Sequence, residues 1–169
     1  AWKLSSLIWW KSRDEMEPDE LRVVRLLRNK LEKKEKLLDL SYEKIGDAGL
    51  IFLAGKDLSH VETLDLSWNG LTDVSVIALA QSAKLANLRA LMLDSNKIGD
   101  DGAGALADSP NLQHLETLTL LNNRVGDTGA LKLIKSGVLK KLHTLVLEQN
   151  RIGAERLAKF PDGLAVFSL

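Results

Sequence analysis

Leucines recur along this chain in short alternations separated by a constant interval. Leu64-Asp65-Leu66, Leu91-Met92-Leu93, Leu118-Thr119-Leu120 and Leu145-Val146-Leu147 each bracket one residue with two leucines, and Leu38-Asp39-Leu40 does the same earlier. A period of two is that of a half-buried strand, with the leucines inward and the middle residue outward. The leading leucines fall at 38, 64, 91, 118 and 145, at spacings of 26, 27, 27 and 27. Self-similarity at that interval predicts a stack of identical supersecondary units.

Each unit carries further marks in the same register. An asparagine follows the strand at Asn69, Asn96, Asn123 and Asn150, with Glu43 in that place in the first copy. A carboxamide both donates and accepts, so stacked copies predict a ladder satisfying buried backbone groups at the turn. Next come Ile45-Gly46-Asp47-Ala48-Gly49, Ile98-Gly99-Asp100-Asp101-Gly102 and Val125-Gly126-Asp127-Thr128-Gly129, with Leu71-Thr72-Asp73-Val74-Ser75 as a variant. The aspartate is placed to N-cap the apolar helix that follows, for example Val76-Ile77-Ala78-Leu79-Ala80. The prediction is an α/β right-handed solenoid of five strand-bearing units, with a parallel sheet on the concave face and helices on the convex face.

This pattern resembles the ribonuclease-inhibitor-like class of leucine-rich repeats. It is most similar to bacterial members with the link seen here as Ala105-Leu106-Ala107-Asp108-Ser109-Pro110-Asn111-Leu112. The resemblance covers about 37–160 and implies protein–protein interaction, with no catalytic residue to carry over.

Two segments are expected: residues 1–36, a tryptophan-rich stretch and a capping helix, and residues 37–169, the five-unit solenoid with a truncated C-terminal cap. From Asp19 to about Lys34, Leu21, Val24, Leu27 and Leu31 mark one helical face, widened by Val23 and Leu26, and Arg22, Arg25 and Lys33 mark a basic one. Trp2, Trp9 and Trp10 precede that helix and fit a cap, a partner contact or a membrane-interface anchor, the last not favoured. After the turn signal Phe160-Pro161-Asp162-Gly163, the stretch Leu164–Leu169 is expected to form a final edge strand.

Composition narrows the chemistry. Lys plus Arg and Asp plus Glu are 23 each, so no global field favours nucleic acid. The absence of cysteine excludes disulfides and thiolate sites, and with the lack of an Asn-x-Ser/Thr acceptor fits a cytoplasmic location. No apolar run approaches the roughly 20 residues of a membrane span. His60 and His114 share a repeat position two units apart, roughly 10 Å at the usual strand spacing, so a shared metal is not expected. Asp39 and Asp65 lie on adjacent rungs, close enough in principle for carboxylate-pair chemistry, but no enclosing pocket accompanies them. Gly99–Gly104 lacks the Lys-Ser/Thr of a phosphate loop. No enzyme, cofactor or metal site is predicted.

The concave face is assigned Lys36, Asp39, Ser41 and Tyr42 from the first rung, then Glu62, Asp65, Ser67 and Trp68. Later rungs add Arg89, Met92, Asp94 and Ser95, then Glu116, Thr119, Leu121 and Asn122, and finally His143, Val146, Glu148 and Gln149. Six acids (Asp39, Glu62, Asp65, Asp94, Glu116, Glu148) against two bases (Lys36, Arg89) give this face an excess of four negative charges in a neutral chain. The expected function is a non-catalytic scaffold that binds a protein partner, one with a basic segment, either alone or as a subunit of an assembly. The alternative is a regulator of a partner enzyme, as in GTPase activators sharing this repeat class. The hot spot is expected at Tyr42 and Trp68, equivalent positions on adjacent rungs, with Asp39 and Asp65 beside them.

Overall fold

A computed structural model describes residues 18–153 and the strand at 165–167. Helix α1, Pro18–Glu32, is followed by β1 (Leu37–Asp39) and α2 (Gly46–Ala54), then β2 (Thr63–Asp65) and α3 (Asp73–Ala80). A short 3-10 turn (Ala83–Leu85) leads to β3 (Ala90–Met92) and α4 (Asp100–Ala107); β4 (Thr117–Thr119), α5 (Asp127–Ile134), β5 (Thr144–Val146) and β6 (Ala165–Phe167) follow among the described residues. The six strands form one parallel sheet in chain order. Leu38, Leu64, Leu91, Leu118 and Leu145 are register partners down the sheet, which is the 27-residue period expressed in space. Leu145 then pairs with Val166, so the last strand joins the stack after a return of only 21 residues.

Each strand is three residues long, and in β1 to β5 only the middle leucine is buried. The leucine after each strand also turns inward, so Leu40, Leu66, Leu93 and Leu120 are wholly buried. Helices α2 to α5 close the other side through residues such as Leu50, Leu79, Leu106 and Leu133. Each fully buried leucine contributes about 1.5–3 kcal/mol before the entropy of ordering is set against it. At the first rung Val23 and Leu27 of α1 enter the same core, with Leu26 and Leu31 partly covered. Arg22 and Lys30 turn toward rung one, donating to the Glu43 carbonyl at 2.7 Å and the Asp39 carbonyl at 2.9 Å. The expected solvent-facing position of Arg22 is therefore modified: its guanidinium satisfies a turn carbonyl past β1, while Lys30 satisfies one on the open edge of β1 itself, the kind of edge that otherwise invites pairing with another chain.

Three side-chain ladders tie consecutive units together. The Asn96 carboxamide oxygen accepts from the N–H of Asn69 and Leu71 at 3.1 and 3.0 Å, and its NH2 donates to the carbonyls of Leu66, Leu93 and Asp94. Asn69, Asn123 and Asn150 repeat this pattern one rung apart. A serine ladder follows the helices, with Ser82, Ser109 and Ser136 donating to the carbonyls of Ala54, Ala80 and Ala107 in the unit before.

The aspartate ladder differs from expectation. Asp47, Asp73, Asp100 and Asp127 lie inside their own helices, whose N-cap positions are Ile45, Thr72, Gly99 and Gly126. Their carboxylates cap the next unit instead: Asp73 Oδ1 accepts from Gly99 N at 2.7 Å and Gly102 N at 3.0 Å, and Asp100 Oδ1 serves Gly126 and Gly129 at the same distances. A Cβ on Gly102 or Gly129 would meet that oxygen at 2.6 Å, which explains the second glycine of the string. Where Ser75 replaces glycine, its hydroxyl donates to Asp47.

Candidate functional site

The outward surface of the sheet is built from two columns of strand positions. Asp39, Asp65, Met92, Thr119 and Val146 form one, as expected. The other is Leu37, Thr63, Ala90, Thr117 and Thr144. This second column was not expected; Lys36, Glu62, Arg89, Glu116 and His143 were assigned the place, but they lie one residue before the strands. Strict alternation about the buried leucine would have identified the column. Its first member, Leu37, is 52% exposed and adds apolar surface at rung one.

Beyond the strands the chain must turn sharply to bring each asparagine into the interior. The residue before the asparagine, or before Glu43 on the first rung, takes a left-handed backbone: φ is 62° at Tyr42, 59° at Trp68, 55° at Ser95, 53° at Asn122 and 55° at Gln149. Left-handed backbone is costly for a bulky residue. Yet two of the five positions carry aromatics. Tyr42 and Trp68 are 66% and 51% exposed. Their rings stack with centroids 5.4 Å apart and planes 13° from parallel. Trp68 therefore lies on Tyr42 rather than against α1. Trp2, Trp9 and Trp10 lie outside the described residues.

The carboxylates next to these rings are each tied to the backbone. Asp39 Oδ1 accepts from Ser41 N at 2.9 Å and the Ser41 hydroxyl at 2.7 Å. Those bonds, with Lys30 adding to them, hold the Asp39 carboxyl below the usual range against a small opposing burial effect. Asp65 Oδ1 accepts from Ser67 N at 2.9 Å. Asp94 takes a bond from Leu121 N at 2.9 Å. Burial raises the Asp94 carboxyl, the bond from Leu121 N–H opposes that, and the Asp65 charge raises it further. The Thr119 hydroxyl is itself buried and outside hydrogen-bond geometry, so Leu121 N–H is the donor that fixes this carboxylate.

The structure divides the expected acidic face in two. Asp39, Asp65 and Met92 share the column at the strand ends, and with Tyr42, Trp68 and Asp94 just past it they mark the edge where the chain leaves the strands. Glu62, Arg89 and Glu116 stand at the opposite edge, roughly 10 Å away at about 3.3 Å per strand residue. There, Lys36 Nζ lies 2.8 Å from Glu62 and the Arg89 guanidinium pairs with Glu116. Among the described residues no group of three or more His, Asp or Glu is placed to hold a metal ion. An open cleft of about 430 Å³ at this second edge is lined by residues including Lys34, His60, His114 and Lys141.

Stacked strand-and-helix units with these ladders define a leucine-rich-repeat solenoid. The family described as Leucine Rich repeat matches residues 57–80, 84–107 and 111–133. Among solved structures the chain is similar to an internalin C2 from Listeria monocytogenes, at 26% identity over 70% of this chain and 55% of that one, with a TM-score of 0.41. The match thus spans just over half of that internalin's length. No curated protein sequence matches the chain.

Proposed function

We propose that the protein is a non-catalytic interaction scaffold that binds a basic segment of a partner protein at the edge formed by Tyr42, Trp68, Asp39, Asp65 and Asp94. The observation that carries this reading is the exposed Tyr42–Trp68 stack on left-handed backbone. Two bulky rings occupy left-handed positions that are costly for bulky residues, and both keep half or more of their surface exposed. A cationic side chain laid on the stacked faces would gain cation–π attraction, and the nearby carboxylates would orient it. Leucine-rich repeats generally serve protein–protein interaction, and this surface is open and shallow, as a docking face requires.

The test is capture of partners from the native source on immobilised protein, repeated with Trp68→Ala. The variant should lose about 2 kcal/mol or more of affinity, as at an interface hot spot, with its melting temperature close to that of the parent. A partner held equally well by both proteins would overturn the assignment.

A further inference from the structure

We propose that the cleft at the opposite edge is a second recognition site, one that takes an acidic peptide segment of a protein partner. The cleft is lined by four cations, Lys34, Lys36, Arg89 and Lys141, and one carboxylate, Glu62. Lys36 and Arg89 are already engaged by Glu62 and Glu116. Lys34 and Lys141, at the two ends of the stack, have no carboxylate partner among the described residues. Lys141 donates instead to His114 Nδ1 at 3.0 Å. An ammonium bonded to a neutral imidazole keeps its full charge, and the imidazole must then carry its proton on Nε2 and act as a donor there. The cleft therefore presents four cations and N–H donors against two carboxylates, Glu62 within it and Glu116 beside it, in a chain whose net charge is zero.

The repeat aligns these groups. Lys34, His60, Asn87, His114 and Lys141 stand at the same place in successive units, at intervals of 26 or 27 residues. Four rung steps of about 4.8 Å make a track of roughly 19 Å, the length of about six extended residues. An acidic peptide of that length can lie along the stack and meet Lys34 at one end and Lys141 at the other. Nucleic acid fits less well. The cleft is lined by no aromatic side chain on which bases could stack. The aromatic edge lies across the sheet, so this site stands independently of the one proposed above.

The experiment uses fluorescein-labelled hexaglutamate, read by anisotropy at low ionic strength and by amide shifts of the isotopically labelled protein. Binding should shift amides around His60, Arg89 and His114. The double variant Lys34→Gln/Lys141→Gln, altered at two exposed positions, should weaken it about tenfold, as loss of two exposed ion pairs implies, while Tyr42→Ala/Trp68→Ala should bind as the parent does. An unshifted spectrum, shifts spread over the convex helices, or parent-like binding by the glutamine variant with an unchanged melting temperature would overturn the proposal. Tighter binding of oligothymidylate than of hexaglutamate would reassign the cleft to nucleic acid. Loss of hexaglutamate binding in the aromatic variant would refute the separation of the two sites, whereas failure of Trp68→Ala to release a captured partner bears on the first site alone.

Discussion

At the scale of single residues, the informative positions are those where local preference and the observed conformation disagree. Trp68 holds φ at 59° with half its surface exposed. Asparagine tolerates left-handed backbone better than tryptophan does, and stacking on Tyr42 is worth only about 0.5–1.5 kcal/mol. Trp68→Asn is therefore expected to change stability by less than about 1 kcal/mol, since the two effects offset each other; a urea melt costing several kcal/mol would show Trp68 to be structural. Asp39 and Asp94 make a second pair of opposites. The Ser41 bonds lower the folded-state value of Asp39, so its stabilisation is present above the unfolded carboxylate range and is lost as pH falls through the lower folded value. Burial raises Asp94, so the folded state holds its proton more tightly and stability falls as pH rises from the unfolded value through the folded one. Asp39→Asn should lose stability at neutral pH. Asp94→Asn should gain it there, because an amide oxygen can still accept from Leu121 N. Both differences should vanish in acid, which denaturant melts at several pH values would show.

The elements are short, three residues per strand and eight or nine for each of α2 to α5. Such pieces are not stable alone, and the ladders between them explain why they persist. Asp100 illustrates the coupling, because it sits in α4 yet holds the first turn of α5. Asp100→Ala should cost about 0.5–2 kcal/mol, the usual range for losing a helix cap. The distinguishing readout is hydrogen exchange, which should speed up at Gly126 and Gly129 of the next unit. Asn96→Leu should cost more, roughly 2–6 kcal/mol, because two buried N–H groups lose their acceptor at about 1–3 kcal/mol each. A denaturant melt within 1 kcal/mol of the parent would contradict the ladder's energetic role.

For the whole molecule, stability in a solenoid is a sum over neighbouring units. The described repeats are closed at their first end by Val23 and Leu27 of α1. Deleting residues 1–12, which leaves α1 intact, should therefore preserve far-UV helix and strand content; collapse of the circular-dichroism signal would place the three N-terminal tryptophans in the core. The whole molecule is also the scale at which charge becomes meaningful. A net charge of zero resolves into a carboxylate-and-aromatic edge and a cationic cleft on two sides of one sheet; if both proposed sites bind, that separation would orient a partner across the strands rather than merely attract it.

The repeat period, the buried leucines and the asparagine positions were legible in the sequence, because each depends on periodicity, and periodicity survives without coordinates. The adjacency of Tyr42 and Trp68 was legible for the same reason: equal places in consecutive units must be neighbours. What needed the tertiary structure was every fact about which unit a side chain serves and which way it turns. Asp100 occupies a sequence position suited to capping its own helix, and only stacking showed its carboxylate reaching the following one. Glu62 and Asp65 count equally as acids in a sequence, but they lie at opposite edges of the sheet. Lys36 and Arg89 neutralise glutamates there, while Lys141 is left bonded to His114, since contact across rungs is decided by side-chain direction and turn geometry. Repetition along the chain determined the lattice of positions; packing between units decided what each position does.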